Sequence, residues 1–238
     1  MRIDIWSDVV CPWCYVGKRR LEAALARFAP RDAVEVVWRS FELDPSAPPS
    51  PDGRIDYAQR LAAKYGTSVA DARAMIENMT GVAAADGLEL RFDLLRPGNT
   101  FDAHRLLHLA LRRGVQDDVK ERLDRATFRD GLRVSHHDDL AQVAVDAGLD
   151  EGEVRAVLAS DRFAGEVRAD ERRARAYGIS AVPFFVVDGR YGVAGAQPSD
   201  LLLEVLTRAW DERAPLDVRP GSAPACDDGS CAVPERSS

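Results

Sequence analysis

Apolar and polar positions alternate at the start of the chain, in Ile3-Asp4-Ile5-Trp6. A period of two predicts a buried strand over residues 2–6. The period then lengthens. Leu21, Leu25 and Phe28 recur at i, i+4 and i+7, one face of a helix over 14–28 that Pro30 ends. Val34 to Phe41 is β-branched and aromatic and predicts a second strand. A helix between two strands expected to run parallel makes a βαβ unit with a right-handed crossover.

Asp44 to Gly53 carries four prolines and reads as an exposed connector. From Ile55 to about Tyr177 the periodicity is almost wholly helical. Leu61 and Tyr65 share a helix face ahead of Gly66. Ser68 and Asp71 have the spacing of a capping box. Leu88 to Leu95 reads as short and irregular, and Pro97-Gly98 as a turn. Asn99 is the predicted cap of a helix through Arg113, with Leu106, Leu107 and Ala110 facing the core. Val119 to Phe128 continues beyond Gly114. Ser135 with Asp138 predicts another cap, ahead of Leu140, Val143 and Ala144. Asp150 starts a short helix. Phe163 to Tyr177 makes a longer one, whose Arg and Glu run at 166–175 reads as a solvated face. Strand character returns in Pro183-Phe184-Phe185-Val186-Val187. Asp188-Gly189 predicts a two-residue hairpin turn, and Arg190 to Val193 pairs back. Pro198 and Ser199 open a last helix, with Leu201, Leu202, Val205, Leu206 and Ala209 on its buried side.

A β-α-β start and a β-β-α finish therefore flank a helical block. This order predicts an α/β, thioredoxin-like fold with a large all-helical insertion. The expected core is discontinuous, residues 1–53 and 178–213, and the insertion is 54–177. Residues 214–238, rich in Pro, Gly, Ser and Asp, have the composition of a flexible tail.

Composition narrows the class. The 238 residues suffice for one large domain or a core with an insertion. A net charge of −7, with acid and base mixed along the helices, argues against nucleic acid or an anionic membrane as the main partner. No apolar run approaches a membrane span. Met1-Arg2 leads straight into strand pattern without the apolar region of a signal peptide, so cytoplasmic residence is expected. Four cysteines in such a chain point to redox chemistry or metal, since structural disulfides are uncommon in reducing cytosol.

The chemistry centres on Cys11-Pro12-Trp13-Cys14. Strand, Cys-x-x-Cys, helix is the context of a thioredoxin-type redox site. A thiol at a helix amino terminus meets unpaired N–H groups and the positive end of the helix dipole, and both favour thiolate. Pro12 suits the first turn, where a missing N–H costs little. A zinc half-site or an inert core pair is the alternative. A zinc site needs further Cys or His ligands, and no second pair lies in the first hundred residues. Val182-Pro183, just before the returning strand, stands where thioredoxin-like folds place a cis proline facing the cysteines. There a substrate backbone can pair in strand fashion. Its plainer reading is a proline that starts a strand.

Asp8-Val9-Val10-Cys11-Pro12-Trp13-Cys14-Tyr15-Val16-Gly17, with Ile179-Ser180-Ala181-Val182-Pro183-Phe184-Phe185-Val186, resembles the DsbA-type thioredoxin family, and its FrnE-like branch most. Trp38, Phe41-Glu42-Leu43-Asp44-Pro45 and Asn99-Thr100-Phe101-Asp102-Ala103-His104-Arg105-Leu106 fit that branch too. The resemblance covers about residues 1–213. It implies dithiol–disulfide oxidoreductase or isomerase activity on protein or peptide substrates. Cys11 is the expected nucleophile and Cys14 the resolving thiol. Pro12, Trp13, Val182, Pro183 and His104 are the expected substrate contacts. No tightly bound cofactor or metal is expected beyond the redox-active disulfide, and glutathione or a reductase resets the site. Kappa-class glutathione transferases and hydroxychromene carboxylate isomerases resemble the same fold but carry serine where Cys11 stands. They define a second reading, a glutathione-dependent isomerase or transferase. A non-catalytic redox-sensing or polypeptide-holding module is a third.

Cys226-Asp227-Asp228-Gly229-Ser230-Cys231 forms a Cys-x4-Cys pair, as in FrnE-like proteins that carry such a second pair. It is expected either to exchange with Cys11–Cys14 or to be a passive disulfide. His104 is a candidate to orient substrate or carry a proton, with a structural histidine as the alternative. His108, one turn on, has metal-compatible spacing but lacks acidic partners in register. His136 and His137 are expected in a solvated loop. Asp8 is a candidate proton acceptor near Cys14, or a plain turn residue. Trp6, Trp13 and Trp38 are expected to supply apolar surface near the site, with the core as the other reading for Trp38.

Overall fold

The alternating start of the chain forms β1, Arg2–Ser7, and the helix after it, α1, spans Pro12–Arg27. β2 follows at Glu35–Ser40. Seven helices come next: α2 (Tyr57–Tyr65), α3 (Val69–Ala85), α4 (Phe101–Arg113), α5 (Gln116–Arg125), α6 (His137–Asp146), α7 (Glu151–Leu158) and α8 (Ala164–Ala176). The chain closes with β3 (Phe184–Val187), β4 (Tyr191–Ala194) and α9 (Ser199–Asp211). The structure, a computed structural model, describes residues 1–213. The pair Cys226/Cys231 lies outside the described residues.

One sheet orders its strands β2-β1-β3-β4. β1 runs parallel to β2, with Ile5 opposite Trp38, and antiparallel to β3, with Ile5 opposite Phe185. Alternation along β1 sends Ile3 and Ile5 to one face, where Leu21 of α1 and Phe28 just beyond it meet Leu202 and Leu206 of α9. Trp6 points to the other face and packs with Ala174 of α8, Ile179 and Val186. Both faces of β1 are thus covered. This is the thioredoxin-like α/β arrangement, with α2 to α8 following β2 in sequence. α4 carries the apolar centre of the helical part: Leu106, Leu109 and Ala110 pack with Leu123, Leu140 and Val154.

Local signals set the helix ends. Ser68 accepts the Asp71 N–H at 3.0 Å, and Asp150 accepts that of Glu153 at 2.9 Å. Gly114 closes α4 at a φ of 73°, a left-handed cap that glycine reaches without strain. The cap position of α4 falls on Thr100, which makes no side-chain cap bond, and Asn99, the expected cap, lies one residue earlier and accepts the Phe101 N–H at 3.0 Å.

Several expectations are corrected. Ser135 does not cap α6. Its hydroxyl accepts the Ser50 N–H at 2.6 Å instead, tying the proline-rich connector to the helices. The β3–β4 connection has three residues, because Val187 pairs with Tyr191 and Asp188 is held by β1. Asp188 donates its N–H to the Arg2 carbonyl at 2.8 Å and accepts the Arg2 N–H at 2.7 Å. Leu201 is exposed, since the α9 face on the sheet is set by Leu202, Leu206 and Ala209. The charged run of α8 is not a solvated face throughout: Asp170 and Glu171 are buried. Trp6 is buried under α8 rather than lying on the surface near the cysteines, and its indole N–H donates to the Asp170 carbonyl at 2.9 Å. His137 opens α6 and binds Asp102 at 2.8 Å.

Candidate active site

After β1 the chain turns through Asp8, Val9 and Val10. The Asp8 carbonyl accepts the Cys11 N–H at 3.2 Å and closes that turn. Cys11 is the residue before α1, Pro12 takes the first helical position, and the Cys14 N–H donates to the Cys11 carbonyl at 3.0 Å. Both cysteines are free thiols. Cys11 retains 5% of its surface and Cys14 none, so an external disulfide reaches only Cys11.

Cys11 meets the second half of the fold directly. Its Sγ donates to the Val182 carbonyl at 3.7 Å, and the Val182-Pro183 peptide is cis. Pro183 packs on α1 at Gly17, where a Cβ would lie 3.0 Å from Pro183 Cγ and 3.3 Å from Phe185 Cζ. Absence of a side chain at Gly17 is what lets the helix and the proline segment close on each other. Gly17→Val is therefore expected to lower stability by about 1–3 kcal/mol through overpacking, read by urea unfolding. Gly17→Ala is expected to cost less, because alanine's helix preference of about 1 kcal/mol over glycine offsets part of the clash. Unchanged stability in Gly17→Val would contradict this close approach.

Burial dominates the electrostatics of Cys14. It pushes the thiol well above its ordinary value, Cys11 adds to the rise, and Lys120 opposes it. Lys120 comes from α5. That helix lies antiparallel to α1 along a line of polar contacts: Lys18 to Asp117 at 3.1 Å and Tyr15 Oη to Glu121 at 2.8 Å. On the same helix Lys120 acts on Cys14, and Asp124 follows one turn later. Both are fully buried, and the ammonium donates to both Asp124 oxygens. It also lies 5.1 Å from the centroid of the Trp38 ring, which belongs to the core. Burial pushes the Asp124 carboxyl up to about 6 despite that partner. Sequence reading missed this pair, because a Lys-Asp spacing of four is also that of an ordinary surface ion pair.

A groove of about 470 Å³ opens at Cys11. Pro12, Trp13 and Val182, three expected substrate contacts, line it beside Cys11, and α2 and α3 build the opposite wall with Tyr57, Met79 and others. Of the exposed large apolar side chains, Trp13, Leu43, Tyr65 and Met75 all lie on this groove. Exposed apolar patches of this kind are characteristic of binding surfaces. The helical pattern of residues 57–79 was legible in the sequence, but not its destination at Cys11. The paired methionines Met75 and Met79, adaptable side chains frequent at binding surfaces, were the available signal.

The two α4 histidines have different surroundings. His104 Nε2 faces Asp8 Oδ1 at 3.4 Å, both side chains being 1% exposed. It does not line the groove. His108 is buried with Ser40 Oγ at 3.2 Å and Asp170 Oδ2 at 3.1 Å. Asp170 also accepts the Ser40 N–H at 3.1 Å and pairs with Arg39 at 3.1 Å, so His108 belongs to a structural network. Among the described residues no three His, Cys, Asp or Glu side chains are placed to hold a metal ion. No helix among them is long and apolar enough to cross a membrane.

Known proteins bear on this site. A structure described as a "probable DsbA oxidoreductase" of Streptomyces coelicolor is 50% identical, with a TM-score of 0.88 over 99% of this chain and all of that one. The uncharacterised protein YwbO of Bacillus subtilis is 28% identical over 209 residues, 87% of this chain and 96% of its own length. The cytosolic disulfide reductase DsbM of Pseudomonas aeruginosa, solved with glutathione, shares the fold at 18% identity and a TM-score of 0.56, over 87% of this chain and 98% of that one. The DSBA-like thioredoxin domain matches residues 2–207, which takes in both cysteines, the groove and the proline segment. On a match of that extent, the chain belongs to the DSBA-like thioredoxin domain family.

Proposed function

We propose that the protein exchanges disulfides in protein or peptide substrates through Cys11 and Cys14. Cys11, as thiolate, attacks a substrate disulfide. One substrate sulfur leaves as thiolate, and the other stays bonded to Cys11. Cys14 then attacks Cys11, its proton passes to a base, and the second substrate sulfur leaves. The protein ends with a Cys11–Cys14 disulfide and the substrate with two thiols; the reverse course introduces a disulfide. The observation that carries this reading is the placement of Cys11, the one reachable thiol among the described residues, in an apolar groove beside the Val182 carbonyl. Substrate chain would lie along Val182 and Pro183, with apolar side chains against Trp13 and the α2–α3 wall. The segment 54–177 would act as an insertion that selects substrates.

Glutathione or a reductase system returns the disulfide to dithiol, and the cytoplasm is the compartment that supplies it. The glutathione bound in the DsbM structure supports that choice of reductant. Cys226 and Cys231 would exchange with Cys11–Cys14; their Cys-x4-Cys spacing on a Gly- and Ser-containing segment supports this.

Insulin reduction and refolding of scrambled disulfides test the reading. Wild type is expected to be active in at least one assay, and Cys11→Ser in neither. Retained glutathione-dependent activity in Cys11→Ser would point to a transferase or isomerase instead. Oxidation without turnover in wild type would point to a redox sensor. A chain ending at residue 213 is expected to turn over more slowly if the tail pair exchanges with the site. Unchanged kinetics, with no Cys11–tail disulfide trapped in Cys14→Ser, would remove the tail from the cycle.

A further inference from the structure

The helix that walls the groove has two faces of different character. Ala58 and Ala62, four apart on α2, are buried with Ala72 of α3 and dock the helix there. Tyr57, Leu61 and Lys64 recur at the spacing of a second face, with Arg60 beside them. Tyr57, Leu61 and Lys64 line the groove at Cys11. They also line an adjoining cavity of about 320 Å³, where Arg60 joins them. Val10 and Leu43 border both spaces as well. The shared wall is therefore apolar except at Lys64.

Arg60 and Lys64 are both exposed, and among the described residues neither side chain forms an ion pair or a hydrogen bond. The cations of α1 differ: Lys18 pairs with Asp117 at 3.1 Å, Arg19 with Glu22 at 2.6 Å and Arg20 with Asp86 at 2.9 Å. Lys64 Nζ lies 5.7 Å from the centroid of the Tyr65 ring, which also lines the groove. Two carboxylates border the cavity, and both are engaged by the main chain. Asp44 accepts the Ser46 N–H at 3.0 Å and its hydroxyl at 2.7 Å. Those bonds hold the Asp44 carboxyl below its ordinary value, and Arg60 and Lys64 add to the effect. Asp8 is buried and accepts the Leu43 N–H at 2.8 Å. A guanidinium and an ammonium one helical turn apart, facing a cavity with no partner of their own, suit a carboxylate that arrives with the substrate.

We propose that Arg60 and Lys64 select substrates by binding a carboxylate of the substrate chain, so that the preferred disulfides have an apolar residue between the attacked cysteine and an acidic one. This selection presupposes the dithiol exchange of Cys11 and Cys14. The apolar residue lies against Val10, Leu43, Tyr57 and Leu61, and the acidic side chain enters the cavity to meet the cations. Glutathione has carboxylates but no apolar residue, and it leaves that wall bare. An extended peptide covers both. The ion pairs are the same before and during sulfur exchange, so their effect falls on substrate affinity rather than on the maximal rate.

Peptide disulfides test this in the full chain carrying Cys226→Ser and Cys231→Ser. One set places Glu at successive positions on either side of the cysteine with Leu between, and a matched set has Gln in place of Glu. Single turnovers of reduced protein are followed at rising peptide concentration. At the best position the Glu peptide is expected to half-saturate the protein at an about tenfold lower concentration than its Gln partner, the scale of two partly screened ion pairs. Maximal rates for the two should agree within about twofold. The preference should shrink as ionic strength rises. Arg60→Gln with Lys64→Gln is expected to make the Glu and Gln peptides alike. Arg60→Glu with Lys64→Glu is expected to favour a Lys peptide over the Glu one.

No preference at any position in wild type, or one that survives in the Arg60→Gln, Lys64→Gln chain, would overturn the proposal. So would a glutathione mixed disulfide that loses more affinity than the Glu peptide in that chain, since the cations would then serve glutathione. A wild type that reduces none of the peptides would overturn the exchange reading instead. The same peptides with Ser for Cys then decide the subsite by fluorescence polarisation: tighter binding of Glu than Gln, lost in the double variant, supports it, and equal binding overturns it.

Discussion

In a chain whose Cys226 and Cys231 are both replaced by serine, replacing Cys14 by serine as well is expected to leave the protein covalently attached to its substrate. Of Cys11 and Cys14 only Cys11 can be reached from the groove, so the first attack does not need Cys14. The second attack needs a thiolate where Cys14 Sγ now lies, and a serine hydroxyl at its ordinary acidity is a far weaker nucleophile. Release should fall by at least about two orders of magnitude, the lower end of what activating a nucleophile contributes. Intact mass under non-reducing conditions should show protein plus one substrate chain for Cys14→Ser, and no adduct for Cys11→Ser. The adduct should vanish on adding a small thiol. Equal adduct in the two variants would mean that the two thiols do not have separate roles.

The second large effect concerns stability. Asp124→Ala leaves the Lys120 ammonium buried and uncompensated, which is expected to cost about 3–5 kcal/mol. Replacing both residues with apolar ones, Lys120→Met with Asp124→Leu, is expected to restore most of that loss, since removing the pair together strands no charge. The same site sets a pH dependence. The Asp124 carboxyl rises from an ordinary 3.8 to about 6 on folding. Between those values the folded state keeps a proton that the unfolded state has released. This contribution therefore makes wild type less stable as pH rises from about 4 to about 6. Asp124→Asn lacks that fall. Urea unfolding of both chains across this range should show their stability difference changing with pH. A constant difference would mean that the carboxyl is not shifted by burial.

The sequence was most legible where signal and consequence are close together. The alternation of Ile3 to Trp6, the caps at Ser68 and Asp150 and the glycine after α4 each act within a turn or two. The structure bears them out. The junction of Cys11 with Val182 was legible for another reason: a strand–Cys-x-x-Cys–helix start and a Pro-Phe-Phe-Val-Val return are both unusual text. Buried polar residues were not legible. Asp170, Glu171, Lys120 and Asp124 look like any charges on amphipathic helices, and what removes them from water is a partner distant in sequence. Ser40 and Arg39 of β2 cover Asp170, and α1 helps cover Lys120. Ser135 failed similarly, because Ser50 outcompeted the local cap. The groove wall was half legible: the α2 and α3 periodicity was readable, their approach to Cys11 was not.

The most direct test of dithiol exchange is a single turnover of reduced protein with a disulfide-bonded peptide, quenched in acid and mapped by mass spectrometry. The expected result is a Cys11–Cys14 disulfide that accumulates in step with the reduced peptide, preceded by a transient Cys11–peptide adduct. Reduction of the peptide while Cys11 and Cys14 remain free thiols throughout would contradict it.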